Sequence, residues 1–104
     1  MPIPQLSAEQ LQEARQAATA ARRARAEFKS RIRRGELTFS QALEEAEKDP
    51  VLAHIRVFDF LMALPRVGEK KANELMETHR IARSRRIQGL GPRQVESLRS
   101  EFVH

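Results

Sequence analysis

From Ser7 to Arg34 the chain contains neither glycine nor proline, and Gly35 then closes the stretch. Alanine, the strongest helix former, recurs throughout it. Ser7 and Gln10 stand at the spacing of a capping box, in which each side chain satisfies the other residue's free backbone N–H. Gly35 suits the left-handed position at which a helix stops. The stretch therefore predicts one helix over 7–35, about 28 residues and ~42 Å long. Ala14, Ala17, Ala21, Ala24, Phe28 and Ile32 share one stripe of it, and Arg15, Arg22, Lys29 and Arg33 another. Only the last third of the apolar stripe has side chains large enough to anchor in a core. The first two thirds are expected to project as a basic helix.

Shorter helical signals follow. Thr38-Phe39-Ser40-Gln41 repeats the capping box, and Phe39, Ala42, Leu43 and Ala46 recur at i, i+3, i+4 and i+7 with an acidic outer face. Asp49-Pro50 is an N-cap followed by proline at the first helical position. Val51, Leu52 and Ile55 supply core, and Val57 to Leu64, with Phe58, Phe60, Leu61 and Met62, is the expected buried centre, ended by Pro65. Gly68 opens a helix that places Ala72, Leu75, Met76 and His79 on one face. Ile81 to Leu90 reads as a basic connector with a helical turn starting at Ser84. Gly91-Pro92 then begins a last helix with Val95, Leu98 and Phe102 inward. No run alternates with period two, so the fold class is all-α. We expect a single domain over 1–104: a long basic helix at 7–35 and a compact helical module at 36–104.

Charge narrows the partners. Lys and Arg total 19 against 14 acids, a net +5, and the acids concentrate between Glu36 and Asp49. Two basic regions around an acidic spacer suggest two positive surfaces facing a polyanion. Arginine outnumbers lysine, which suits bidentate phosphate contact. With no cysteine, neither disulfides nor thiolate metal sites can form. No apolar run approaches the ~18 residues of a membrane helix, and Met1-Pro2-Ile3-Pro4-Gln5 lacks the pattern of a secretory signal. A cytoplasmic protein with no membrane partner is expected.

Two segments carry the strongest local signal. Leu64-Pro65-Arg66-Val67-Gly68-Glu69-Lys70-Lys71 leads from a helix end through a tight turn into a new helix. The free amides at such a start, with the positive end of the helix dipole, form an anion site. Gly68 would let a phosphate approach the backbone, and Lys70 and Lys71 add charge in a first turn where cations are otherwise disfavoured. The plainer alternative is an ordinary turn with solvated lysines. Arg80 to Gln94 repeats the theme without a single acid: Arg80, Arg83, Arg85 and Arg86, then Gln88, Gly89, Gly91, Arg93 and Gln94, lead through glycines into a helix.

With Ala17 to Arg25, Leu61 to Ala72 (LMALPRVGEKKA) and Ser84 to Gln94 (SRRIQGLGPRQ), the sequence resembles the actinobacterial integration host factors, small nucleoid-associated proteins. The likeness covers nearly the whole chain. It implies a helix–two-turns–helix module at about 57–103, similar to one in a small-subunit ribosomal protein and in some DNA glycosylases. It also implies binding of double-stranded DNA with little sequence preference, DNA bending or compaction, assistance to phage integration, and a nucleoid location. By position it puts backbone-binding groups at Val67, Gly68, Lys70, Arg85, Arg86, Gly89 and Gln94. Gln88 stands where relatives often have arginine, so one phosphate contact is expected to be weaker or replaced.

Arg22 to Arg34 holds seven cations and only Glu27 among them. Such a run is ordinarily a solvated face, but no ion-pair lattice neutralises this one. Arg15, Arg22, Arg23, Arg25, Lys29 and Arg33 are candidates for a second DNA contact on a different face. Catalysis finds no motif: His54, His79 and His104 lack ligand spacing, His79 reads as a packed surface histidine, and Glu44, Glu45, Glu47 and Asp49 lack the glycine of a calcium loop. No enzyme, metal, cofactor or small-molecule substrate is expected. The competing readings are an RNA- or ribosome-binding module and a protein adaptor built on the first helix. That helix lacks the leucine repeat of a coiled coil, so a monomer is expected.

Overall fold

The computed structural model describes residues 7–102, so the Met1–Gln5 segment and His104 lie outside the described residues. Within them the chain forms α1 (Ala8–Arg33), α2 (Phe39–Lys48), α3 (Pro50–Ala53), α4 (Val57–Ala63), α5 (Glu69–Thr78), a 3₁₀ turn (Ile87–Gly89) and α6 (Pro92–Glu101). No strand occurs among the described residues, and one isolated antiparallel bridge joins Arg56 and Arg86.

The ends of α1 form as their residues dictate. Ser7 Oγ accepts from Gln10 N at 3.1 Å while Gln10 Oε1 accepts from Ser7 N at 2.9 Å. At the other end Gly35 takes φ 79°, and the N–H groups of Gly35 and Glu36 donate to Ile32 O and Arg31 O. This Schellman closure satisfies carbonyls the helix would otherwise leave free. Residues 7–18 are exposed all round, and only Phe28 and Ile32 of α1 are buried. The long helix thus projects from the body, and the molecule extends 54 Å along its longest axis.

The body closes on phenylalanine. Phe60 of α4 lies 6.3 Å from Phe28 of α1 and 5.5 Å from Phe39 of α2, ring centroid to centroid. Phe39 in turn stacks on Phe102 at 4.8 Å. Ile32, Leu43, Val57, Leu61 and Leu98 fill the space around these rings and are essentially inaccessible to solvent. The segment expected to form the buried centre does so, except that Phe58 and Met62 are only partly buried.

The connector between α5 and α6 differs from expectation. The helical turn begins at Ile87, not Ser84. Val57 N donates to Arg85 O and Ile87 N to Ile55 O, both at 2.9 Å. These two bonds hold Arg86 extended against the α3–α4 junction, between a turn closed by Arg85 N on Ala82 O and the 3₁₀ turn that starts at the buried Ile87.

Phe60 touches the aromatic rings of two other helices, whereas Leu11 on the projecting part of α1 is 42% exposed. Phe60→Ala is expected to cost about 3–5 kcal/mol and Leu11→Ala no more than about 0.5 kcal/mol. Urea denaturation followed by far-ultraviolet circular dichroism checks both, as the chain has no Trp or Tyr to report by fluorescence.

Candidate nucleic-acid interface

Side-chain caps divide the helices into two groups. Ser7, Thr38 and Asp49 cap α1, α2 and α3 with their side-chain oxygens, α4 begins at Arg56 without a side-chain cap, and α5 and α6 begin at Gly68 and Gly91, which have no side chain to offer. The amides at the start of α5 therefore carry no side-chain cap, and at α6 only Gln94 reaches back, accepting from Gly91 N at 3.0 Å. Gly68 has φ −92°, an ordinary value, and a Cβ there would meet nothing within 4 Å. Its backbone does not require glycine.

The opposite holds beside it. Val67 N donates to Leu64 O at 3.2 Å, closing a turn with Pro65 and Arg66 at its corners, and Arg66 has φ 67°. Arg80 has φ 54° at the end of α5, where the N–H groups of Arg80 and Ile81 donate to Glu77 O and Met76 O in a second Schellman closure. Both are left-handed positions that glycine would fill at lower cost. Arginine occupies each of them.

In the second turn, Arg83 Nη1 donates to Asn73 Oδ1. Arg85 Nη1 donates to Gly89 O at 2.7 Å, and Arg86 Nη1 to His54 O at 2.6 Å. Gly89 earns its place here, since a Cβ would lie 3.0 Å from Arg85 Cδ. Every acceptor is a neutral oxygen, so each guanidinium is held in position with its charge intact. Gln94 Nε2 donates to Arg80 O at 3.2 Å, tying α6 to the start of the connector. Lys70, Lys71, Gln88 and Arg93 are exposed, and Val67 is half-buried against the core.

The cations of α1 divide differently from expectation. Arg31 pairs with Glu45 of α2 at 2.7 Å, and Arg34 with Glu36 at 2.6 Å and Glu27 at 3.4 Å. Hydrogen bonding to Glu36, and secondarily the contact with Glu27, raises the Arg34 pKa above its ordinary value, so its charge is always present and already balanced. Arg22 donates to Thr19 Oγ1 at 3.3 Å, and Arg15 and Arg23 flank a shallow face of the projecting half. Arg33 borders Phe58 and Met62.

Arg25 and Lys29 line one concavity with His54, Arg56 and Arg86. The α1 stripe and the second turn were expected on different faces, but at this point they meet. The cause is the packing of the C-terminal half of α1 beside the α3–α4 junction, to which the second turn is bridged. No hydrogen bond or ion pair among the described residues joins the first turn to the second. Arg56 was not singled out from the sequence, while Arg66 and Arg83 fall in the two basic segments but were not assigned a phosphate contact. Pro65-Arg66 was a usable signal for a strained turn, whereas the places of Arg56 and Arg83 depend on tertiary contacts.

Among the described residues no group of three or more His, Cys, Asp or Glu could hold a metal ion, and no helix is long and apolar enough to cross a membrane. His79 Nε2 lies 3.1 Å from Glu101 Oε1 and packs α5 against α6.

Residues 32–102 match the family described as the S13-like H2TH domain. Over 102 residues the chain is 48% identical to an integration host factor of Mycobacterium tuberculosis, covering 98% of this chain and 97% of the relative. It is 37% identical to an integration host factor of Streptomyces coelicolor, with 98% and 95% covered. A solved structure of sIHF bound to an 8 bp palindromic DNA is similar with a TM-score of 0.81 and 36% identity, covering 85% of this chain and 99% of that one. Capped and uncapped helices, the two turns and the projecting α1 are thus features of a chain that belongs to the integration host factor family.

Proposed function

We propose that this protein binds double-stranded DNA through the backbone phosphates with little sequence preference, bending or compacting it as an architectural component of the nucleoid. It acts in the cytoplasm as a monomer, catalyses no reaction, and assists events such as phage integration by shaping DNA. One observation carries the reading: Arg83, Arg85 and Arg86 are each positioned by a neutral oxygen. Arg31 and Arg34, by contrast, close on carboxylates. An arginine positioned by a neutral acceptor retains its full attraction for a phosphate and has already lost much of its rotamer entropy.

The glycine-led starts of α5 and α6 support the same reading. Val67, Gly68, Lys70 and Lys71 form the first backbone contact, and Arg85, Arg86, Gln88, Gly89, Arg93 and Gln94 the second. Arg15, Arg22, Arg23, Arg25, Lys29 and Arg33 supply a further DNA contact along α1. The integration host factor relatives and the DNA-bound sIHF structure favour duplex DNA over RNA as the partner.

Affinity of this kind comes from counterion release. With roughly five phosphates neutralised, log K against log salt is expected to slope about −4 to −5. Fluorescence anisotropy over a salt series measures the slope, and competition with duplex RNA of matched sequence checks the partner. A clear preference for RNA would overturn the DNA reading.

Strain at Arg66 separates stability from binding. Arg66→Gly removes a left-handed arginine and is expected to raise stability by up to about 1 kcal/mol while weakening duplex binding. Denaturation and anisotropy on the same preparation report both quantities, and unchanged affinity would remove Arg66 from the interface.

Arg86 and Arg93 are expected to part in the same pair of assays. Arg86→Ala loses the bond to His54 O, and about 1 kcal/mol of stability with it, besides affinity. Arg93→Ala, exposed at the start of α6, loses affinity alone.

A further inference from the structure

Four of the five phenylalanines, Phe28, Phe39, Phe60 and Phe102, stack on one another in the body. Phe58 does not join them. It is half-buried at the start of α4, and the Arg83 guanidinium lies over its ring, with Cζ 3.9 Å from the centroid. Asn73 Oδ1 accepts from the same guanidinium, which leaves Arg83 exposed yet held over an aromatic face.

Asp59 follows Phe58 and is exposed. It borders three adjoining concavities, together with Arg25, Lys29, Arg33, Arg56, Arg83 and Arg86. Among the described residues no ion pair or hydrogen bond joins its carboxylate to any of these cations. A carboxylate serving only to neutralise them would close on one, as Glu45 closes on Arg31. Asp59 lies in the first turn of α4, where the helix dipole favours an acid, and its carboxylate is left open to a ligand beside the Phe58 ring.

We propose that this surface binds an unpaired nucleotide of single-stranded DNA. The base stacks on the outer face of the Arg83 guanidinium, an exocyclic amino group of the base donates to the Asp59 carboxylate, and the flanking phosphates lie on Arg25, Lys29, Arg56 and Arg86. Stacking on aromatic rings and arginine planes, with cations along the backbone, is how proteins take bases out of a strand. A carboxylate at the centre adds selection, because it accepts from the cytosine amino group, which thymine lacks. The site rests on the DNA-binding reading and extends it to single-stranded segments exposed when a duplex is strongly deformed.

The test uses the full chain and labelled oligo-dC and oligo-dT strands of about ten nucleotides, with a duplex measured in parallel. Oligo-dC is expected to bind about three- to tenfold more tightly than oligo-dT. Asp59→Asn is expected to abolish that preference. Phe58→Leu is expected to weaken oligo-dC about fivefold or more while duplex affinity stays within about twofold. Asp59 is exposed, so Asp59→Asn leaves the buried core untouched and the outcome does not depend on one core-facing substitution. Parallel loss on strand and duplex, unchanged oligo-dC binding in these variants, or an Asp59→Asn protein that tightens equally on both strands would each overturn the site. Wild-type protein that binds duplex but no single strand also overturns it and leaves the duplex reading standing. Failure to bind duplex at all would instead sink that reading.

Discussion

Val57 donates its amide to Arg85 O, and Ile87 donates its own to Ile55 O, so a loop late in the chain is clasped to the junction of two early helices. The basic surface depends on that clasp. Between the two bonds lies Arg86, whose guanidinium reaches His54 O. Beyond them Ile87 is buried, and the chain turns at once toward Gly89. Were the loop free, its arginines would repel one another into solvent and lose entropy on meeting a phosphate. Clasped, they are presented from a fixed backbone, and the cost of ordering them is met during folding rather than binding.

The same clasp brings α1 into the site. Phe28 and Ile32 seat the C-terminal half of the long helix on the aromatic core, and this leaves Arg25 and Lys29 on the flank nearest Arg86. Burial of two apolar side chains therefore sets the direction of a charged stripe they do not touch. Charge alone would not have produced this arrangement. Like charges are being held together here, and the packing energy of the core must exceed their repulsion. Arg31 and Arg34, further along the helix, spend their charge on Glu45 and Glu36 and contribute to the join between α1 and α2 instead.

What could be read from the sequence was what lies within a few residues of itself. The boxes at Ser7 and Thr38, the Asp49-Pro50 restart and the Gly35 closure all involve partners two to five positions apart, and each formed as read. The two glycine-bearing turns were visible for the same reason. The place of Ser84 to Ile87 was not, because the Ile55 and Val57 groups that hold it are distant in sequence. Nor did the apolar run from Val57 to Leu64 say that Phe58 would face outward, since a run dense in large side chains has no period from which a face can be told. The sorting of arginines into neutral and carboxylate partners is likewise tertiary, and composition treats them all alike.

Residue types around the two turns are the reverse of what the backbone alone would choose. At Arg66 and Arg80 the left-handed conformation calls for glycine, and arginine is there. At Gly68 the conformation admits any residue, a Cβ would have open space, and glycine is there. Exchanging these preferences would stabilise the fold: glycine relieves the strain, and a side-chain oxygen at the helix start would cap the free amides. The arrangement fits the proposed phosphate contact. A phosphate at the start of α5 would take the amides that no side chain caps, with the strained Arg66 just before the helix supplying charge. Stability is forgone at these positions, as is expected where residues are chosen for a contact rather than for the backbone.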